Sequence, residues 1–242
     1  PNTTNLNIAS GGYVIPGFKS LDIYTPHYYE SRDQFLKERI EFDIRRDDIP
    51  FDANSVNNIY ISHAVEHVED FAVKYLICEA HRVLVSGGVL RVACPDAEFV
   101  YAVCQFDNDY WDWRHVAFSN TKRYKTEWSC LRPYDFLVHE LATPRQRFNL
   151  RNVADKVFYP EDLEGVAYDE LVSLLKEDLN FRESYPGMHI NNWDFERLKA
   201  IGEDAGFSHI VRSKYLGSVS KEMRNSYFDK TNPHVSLYVE FI

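Results

Sequence analysis

The chain has 242 residues, is 45% hydrophobic and 15% aromatic, and carries a formal net charge of −10. This length and apolar fraction suit one α/β domain with insertions, while the acidic balance, with scattered Lys and Arg, argues against a protein built to grip phosphate backbones. No apolar run approaches the roughly 20 residues that span a bilayer.

The first apolar run is Asn5 to Ala9, followed by the small-residue turn Ser10-Gly11-Gly12. A second runs from Phe18 to Ile23 and carries Asp22 near its end; a shorter piece, Ile40 to Ile44, holds Asp43. Asn58 to Ser62 and Val89 to Cys94 follow, each closing on polar or turn residues, as parallel strands with both faces covered do. Between these last two, Val68 to Leu84 places Phe71, Tyr75, Leu76, Ala80, Val83 and Leu84 at helical spacing, and Ser86-Gly87-Gly88 is expected to stop that helix as a glycine cap. Strand, helix, turn and strand make a βαβ unit.

From about Ala97 the sequence turns aromatic and charged with weak periodicity, including a long amphipathic stretch from Pro160 to Leu179. It reads as an insertion rather than as a second core. Asn192 to Ala205 is expected as a helix closed by Gly206, leading into strands at Ser208 to Ser213 and His234 to Phe241. The domain reading is one unit, 1–242, with a cofactor-binding half (1–96), an insertion or lid over the acceptor (97–190) and a C-terminal helix with strands (191–242).

The four cysteines, Cys78, Cys94, Cys104 and Cys130, show no CxxC pairing and have apolar neighbours, so buried thiols in a reducing, cytoplasmic setting are expected. The N-terminal PNTTNLN lacks the regions of a secretory signal. A chain that opens on Pro1 rather than Met is expected to be part of a longer polypeptide or a trimmed one.

In an open parallel sheet, ligands bind beyond the carboxyl ends of the strands. The residues found there are Ser10-Gly11-Gly12, Asp22, Asp43, Ser62-His63 and Pro95-Asp96. Small residues let a ligand touch the backbone, a carboxylate after the second strand can accept both hydroxyls of a ribose, and a further acid can sit near the amine of adenine. Together they describe a nucleoside site. A dinucleotide would need a pyrophosphate cradle of the GxGxxG kind opening a helix; IASGGYVIPGF offers neither that spacing nor room for a helix. An adenosyl sulfonium fits better.

The runs LNIASGGYVIPGFKSLDI, EFDIRRDDIPFDANSVNNIYISHAVEHV and EAHRVLVSGGVLRVACPD, with the later AGFSHI and MRNSYFDKTNPHVSLYVEF, resemble the class I S-adenosylmethionine-dependent methyltransferases of the type 11 kind, particularly those acting on sugars and glycans. The resemblance implies a Rossmann-like seven-stranded sheet, mostly parallel with an antiparallel last strand and flanked by helices. It implies S-adenosylmethionine as cofactor and S-adenosylhomocysteine as product. By position, Ala9, Ser10 and Gly11 would back the methionine moiety, Asp22 would take the ribose, Asp43 and Ile44 would flank adenine, and Ser62 and His63 would face the methyl group. Ala9 stands where the family has glycine, and Ser86 where it has proline.

Methyl transfer from a sulfonium is an in-line displacement in which positioning supplies much of the acceleration, and a hydroxyl acceptor also needs a base. Histidine suits that work near neutral pH. Of His63, His67, His115, His139 and His189, the expected candidates are His63, which follows the Asn58–Ser62 strand, and His139 and His189 in the insertion; His67, beside Glu66, reads as structural. Trp111, Trp113, Trp128 and Tyr134 are expected to offer a platform for a pyranose face, and Asp96 to bind an acceptor hydroxyl, assist a base or ligate a metal. No metal is favoured, because the acids Asp107, Asp109 and Asp112 read as a solvated turn. The expected function is O-methylation of a sugar hydroxyl on a glycan or nucleotide-sugar. The alternatives are methylation of another small metabolite and a non-catalytic module in glycan assembly.

Overall fold

The computed structural model describes residues 3–24, 39–106, 108–119, 130–148, 154 and 156–242. Trp128 and Asp107 lie outside them. Seven strands, β1 (Asn5–Ile8), β2 (Lys19–Asp22), β3 (Ile40–Glu41), β4 (Val56–Ser62), β5 (Leu84–Pro95), β6 (Ile210–Arg212) and β7 (Ser236–Phe241), form one sheet in the order β3-β2-β1-β4-β5-β7-β6. Only β7 is reversed, pairing antiparallel with both β5 and β6. The chain moves outward from β1 in one direction and then returns to lay β4 on its other side, so the β1/β4 seam is the switch point of the sheet.

Seven helices accompany it among the described residues: α1 (Asp70–Val83), α2 (Ala97–Phe106), α3 (Asp112–Ser119), α4 (Pro133–Leu141), α5 (Pro160–Leu163), α6 (Tyr168–Lys176) and α7 (Phe195–Ala205). Helices α1 and α7 cover one sheet face, where Leu6, Ile8, Ile59, Ile61, Val92 and Val239 meet Val73, Leu76, Ile77 and Leu198. Gly202 allows α7 to lie close, since a Cβ there would stand 2.5 Å from the ring of Phe241. The helical period expected for α1 holds, but its buried stripe is Ala72, Val73, Leu76, Ile77, Ala80 and Val83. Phe71 and Tyr75, one position round the helix from that stripe, are exposed.

The glycine pair after α1 has a different task from the expected cap. Helix α1 ends with Leu84 already extended, and Leu84 pairs with Val56 while Val89 pairs with Asn58. Residues 85–88 therefore bulge out of β5, with Gly87 in the left-handed region at φ +74°. The described residues between 97 and 175 close, with Val235, round a second apolar cluster centred on Trp111, Phe136, Leu137 and Leu171. Of the cysteines expected to be buried, Cys94 and Cys104 are, and Cys78 and Cys130 are exposed. No helix among the described residues is long and apolar enough to cross a membrane.

The opposite sheet face mixes buried polar side chains, Asn58 and Arg91 among them, with a small apolar cluster of Ile15, Tyr60, Val89, Met223 and Phe228. Arg91, on β5, is fully buried; its guanidinium meets Asp229 at 2.7 Å and Glu240 at 3.2 Å. Asp229 also accepts the Leu216 N–H, and Glu240 that of Val219. These bonds fasten the 213–231 segment to the sheet and place its end beside the carboxyl ends of β1 and β4.

Candidate active site

At the switch point lies a cavity of ≈ 350 Å³. Every residue proposed from the sequence for the cofactor lines it: Ala9, Ser10 and Gly11 after β1, Asp22 closing β2, Asp43 and Ile44 after β3, Ser62 and His63 at the end of β4. They are brought together because parallel strands end on the same edge of the sheet.

The turn after β1 is held by the carboxylate that follows it. Gly11 N–H donates to Asp22 Oδ2 at 2.7 Å and Ile23 N–H donates to Oδ1 at 2.8 Å, while the Arg39 guanidinium lies 3.3 Å from Oδ2. The chain enters this turn through Ala9 at φ +53°, a region a side chain enters at a cost of about 1 kcal/mol or more. Ala9→Gly is therefore expected to raise stability by roughly 0.5–1 kcal/mol, relief of strain outweighing the freer unfolded chain. Denaturant titration of the two proteins measures it.

Asp43 lines the cavity with both carboxylate oxygens already engaged. Its Oδ1 accepts the backbone and Nε donors of Arg45, and its Oδ2 accepts Arg45 Nη2 at 2.7 Å and faces Arg46 at 3.2 Å. Burial alone would raise this carboxyl, yet the bonds and charges of Arg45, with the charge of Arg46, hold it below the ordinary carboxylate value. Asp43 thereby fixes Arg45, whose guanidinium stacks 3.8 Å over Phe181. Flat apolar walls for a purine come from Ile44, Val68 and Phe181.

His63 directly follows β4 at φ +50°. Its Nδ1 lies 3.1 Å from Glu66 Oε1 and its Nε2 2.8 Å from Ser236 Oγ. Glu66 is itself buried. Desolvation would raise its carboxyl, but the His63 bond and the charges of His67, His63 and His189 bring it down to about 2. The ring of His63 is thus oriented by an ionised carboxylate. His67, read from the sequence as structural, lines the cavity as well. His189 lies behind it, with ring centroids 4.9 Å apart, outside the cavity lining. Burial pushes the His189 imidazole down to about 4. His139 is on α4, bonded to Gln146 and stacked on Phe148, away from this cavity.

The expected acceptor residues are elsewhere. Trp111 and Tyr134 are buried in the cluster of residues 97–175, Trp111 stacked on Phe136. Trp113 packs between His234 and Arg114. Asp96 caps α2 by accepting the Phe99 N–H; desolvation raises its carboxyl. What covers the β1/β4 edge is a second cavity of ≈ 530 Å³, sharing Ala9, Ser10, Gly11, Ser62 and Thr231 with the first. Its remaining walls include Asn7, Tyr13, Tyr60, Tyr227 and Lys230, and Lys230 Nζ stands 5.0 Å over the ring of Tyr13 and 5.4 Å over that of Tyr227. The only sequence signal for it was the polar run ahead of β7.

No curated protein matches the chain. Among solved structures, it resembles a Thermotoga maritima protein described as an SAM-dependent methyltransferase, possible histamine N-methyltransferase, at 11% identity and TM-score 0.47, covering 100% of this chain and 82% of that one. A glycopeptide N-methyltransferase complexed with S-adenosylmethionine gives 10% identity and TM-score 0.46 over 100% of this chain and 82% of the other. With the S-adenosylmethionine-dependent methyltransferase SibL the values are 11% and 0.44 over 99% of this chain, which spans only 50% of that protein. Residues 20–92, from β2 to the middle of β5, match the family described as methyltransferase domain.

Proposed function

We propose that the chain is an S-adenosylmethionine-dependent methyltransferase acting on a hydroxyl of a carbohydrate or another small hydroxylated molecule. The observation that carries this reading is the gathering of Ser10-Gly11, Asp22 and Ser62-His63 round one cavity at the switch point. The match of residues 20–92 to a methyltransferase domain supports it.

The cavity fits the cofactor. The Ser10 hydroxyl is buried without a hydrogen-bond partner, which is costly unless a ligand's polar group meets it. Asp22, at the end of β2 and on the cavity wall, is the carboxylate that would hold the ribose. Ile44, Val68 and Phe181 would enclose adenine, and Ala9, Ser10 and Gly11 would hold the methionine end. When bound, S-adenosylmethionine supplies a methyl group already activated on a sulfonium.

The chain's own work is then to place the acceptor and take its proton. The cavity bearing Tyr13, Tyr227 and Lys230 adjoins the cofactor cavity, and its amphipathic rings suit the faces of a sugar. His63 is the base of this reading. Its Nδ1 is held by Glu66, and Nε2 lies against Ser236 Oγ, whose hydroxyl donates to the Asn232 carbonyl; an acceptor hydroxyl would meet a neutral Nε2 in place of Ser236. Tyr227→Ala is expected to raise KM for the acceptor about tenfold and leave cofactor affinity unchanged. Steady-state kinetics with calorimetry of cofactor binding reads both.

The test of the function is incubation with methyl-labelled S-adenosylmethionine and a panel of monosaccharides, nucleotide-sugars and other small hydroxylated metabolites. Label on a hydroxyl supports the reading; label on nitrogen acceptors alone overturns its acceptor. Cofactor binding without transfer to any acceptor class would favour a non-catalytic module.

A further inference from the structure

We propose that Glu66, His67 and His189 bind a divalent first-row transition-metal ion beside the cofactor cavity. One ligand atom from each of these residues can be chosen so that all lie within 4.8 Å of one another, a spread that small side-chain movements close to the ligand spacing round a metal with bonds of about 2.0–2.2 Å.

The orientation of the two imidazoles is what distinguishes this cluster from three polar residues that happen to meet. His67 Nδ1 faces the Met188 carbonyl at 3.0 Å, and His189 Nδ1 faces the Glu140 carbonyl. A carbonyl only accepts, so in each ring Nδ1 carries the proton and Nε2 is left as the donor atom of the neutral form. This is the outer arrangement that metal-binding histidines use to fix their tautomer. The Nε2 of His67 stands 4.0 Å from Glu66 Oε1.

The frame that holds the three residues is rigid. Glu66 and His67 lie on the single 3₁₀ turn Val65–His67, and the Glu66 carbonyl accepts the backbone N–H of both Ile190 and Asn191, tying the His189 segment to that turn. The His189 N–H is in turn bonded to Thr143 Oγ1. The Glu66 side chain is buried; His63 Nδ1 lies 3.1 Å from its Oε1, and its Oε2 has no hydrogen-bond partner. A carboxylate so placed has unused acceptor capacity facing two imidazole lone pairs.

Two imidazoles and one carboxylate suit Zn²⁺, Co²⁺, Fe²⁺ or Mn²⁺, and three protein ligands leave coordination positions open. His67 lines the cofactor cavity, which gives an ion its way in and directs an open position toward the cavity. An ion there would polarise an acceptor hydroxyl. That use rests on the methyltransferase reading; the binding of the ion does not.

The test uses the full chain stripped with a chelator and titrated with Co²⁺ as a spectroscopic probe, followed by displacement with Zn²⁺. The expected result is saturable visible d–d absorption that Zn²⁺ abolishes, together with a Zn²⁺-dependent rise in the thermal midpoint. His189→Ala, checked for fold by circular dichroism, is expected to weaken Co²⁺ binding about tenfold or more and to lose the Zn²⁺ stabilisation. His67→Gln gives the same readout should the first variant fold poorly. Absence of the Co²⁺ spectrum in the wild type, or unchanged affinity in the folded variants, overturns the proposal. S-adenosylhomocysteine binding is titrated separately, so its failure would overturn the proposed function and leave the metal result standing.

Discussion

Replacing Asp22 by alanine is expected to weaken S-adenosylhomocysteine binding by roughly 30- to 150-fold, or about 2–3 kcal/mol, with the fold retained. Asp22 closes β2 at the switch point and lines the cavity where the ribose of the cofactor is proposed to lie. Hydrogen bonds to a charged acceptor contribute more than neutral ones, so the expected loss is large for one residue. The substitution also releases the Gly11 N–H and the Arg39 guanidinium. Asp22→Asn separates the effects: it keeps the shape and one acceptor oxygen, loses the charge, and should fall between wild type and alanine. Calorimetric titration of the three proteins measures the series. An alanine variant that binds as wild type would remove Asp22 from the ribose.

The largest stability effect is expected at Arg91. Its guanidinium lies fully buried between Asp229 and Glu240 and donates besides to Ser213 Oγ and the Lys214 carbonyl. Arg91→Met would leave two buried carboxylates facing each other without a cation, a change that costs about 3–5 kcal/mol in comparable sites. For a chain of this size that corresponds to a fall of about 6–20 °C in the thermal midpoint. The same network anchors the segment carrying Tyr227 and Lys230, so acceptor affinity should fall along with stability. Arg132→Ala, which removes an exposed pair with Glu161, serves as the contrast and should leave the midpoint where it was. Thermal unfolding followed by circular dichroism reads both variants.

The strands that end at the site were legible because parallel strands buried on both faces are written as short apolar runs, and the functional groups follow each run directly. Ser10, Asp22 and Ser62-His63 could be collected on that rule alone. Asp43 occupied the expected place, but its partners lie two and three residues on, and only the folded loop reveals that Arg45 bonds both its oxygens and Arg46 pairs with one of them. The stripe of α1 was displaced because Phe71 and Tyr75 share the helical period without sharing the buried face.

Trp111, Trp113 and Tyr134, read from the sequence as acceptor residues, lie away from the two cavities for a different reason. Trp111 and Tyr134 drew attention by being aromatic in a weakly periodic stretch, yet aromatic density there marks the cluster of residues 97–175. The tyrosines that line the second cavity come from the turn after β1, from β4 and from the run before β7, segments brought together only by the sheet order. The cluster of Glu66, His67 and His189 was hidden likewise: the first two are adjacent in sequence, and the third joins them through backbone bonds from Ile190 and Asn191 to Glu66.

Isothermal titration of the wild-type chain with S-adenosylhomocysteine decides whether the cavity between β1, β2 and β4 is an adenosyl site. The expected result is saturable one-site binding that adenosine competes for and that Asp22→Ala largely removes. No heat of binding and no thermal stabilisation at saturating S-adenosylhomocysteine, in a chain shown to be folded, would contradict it.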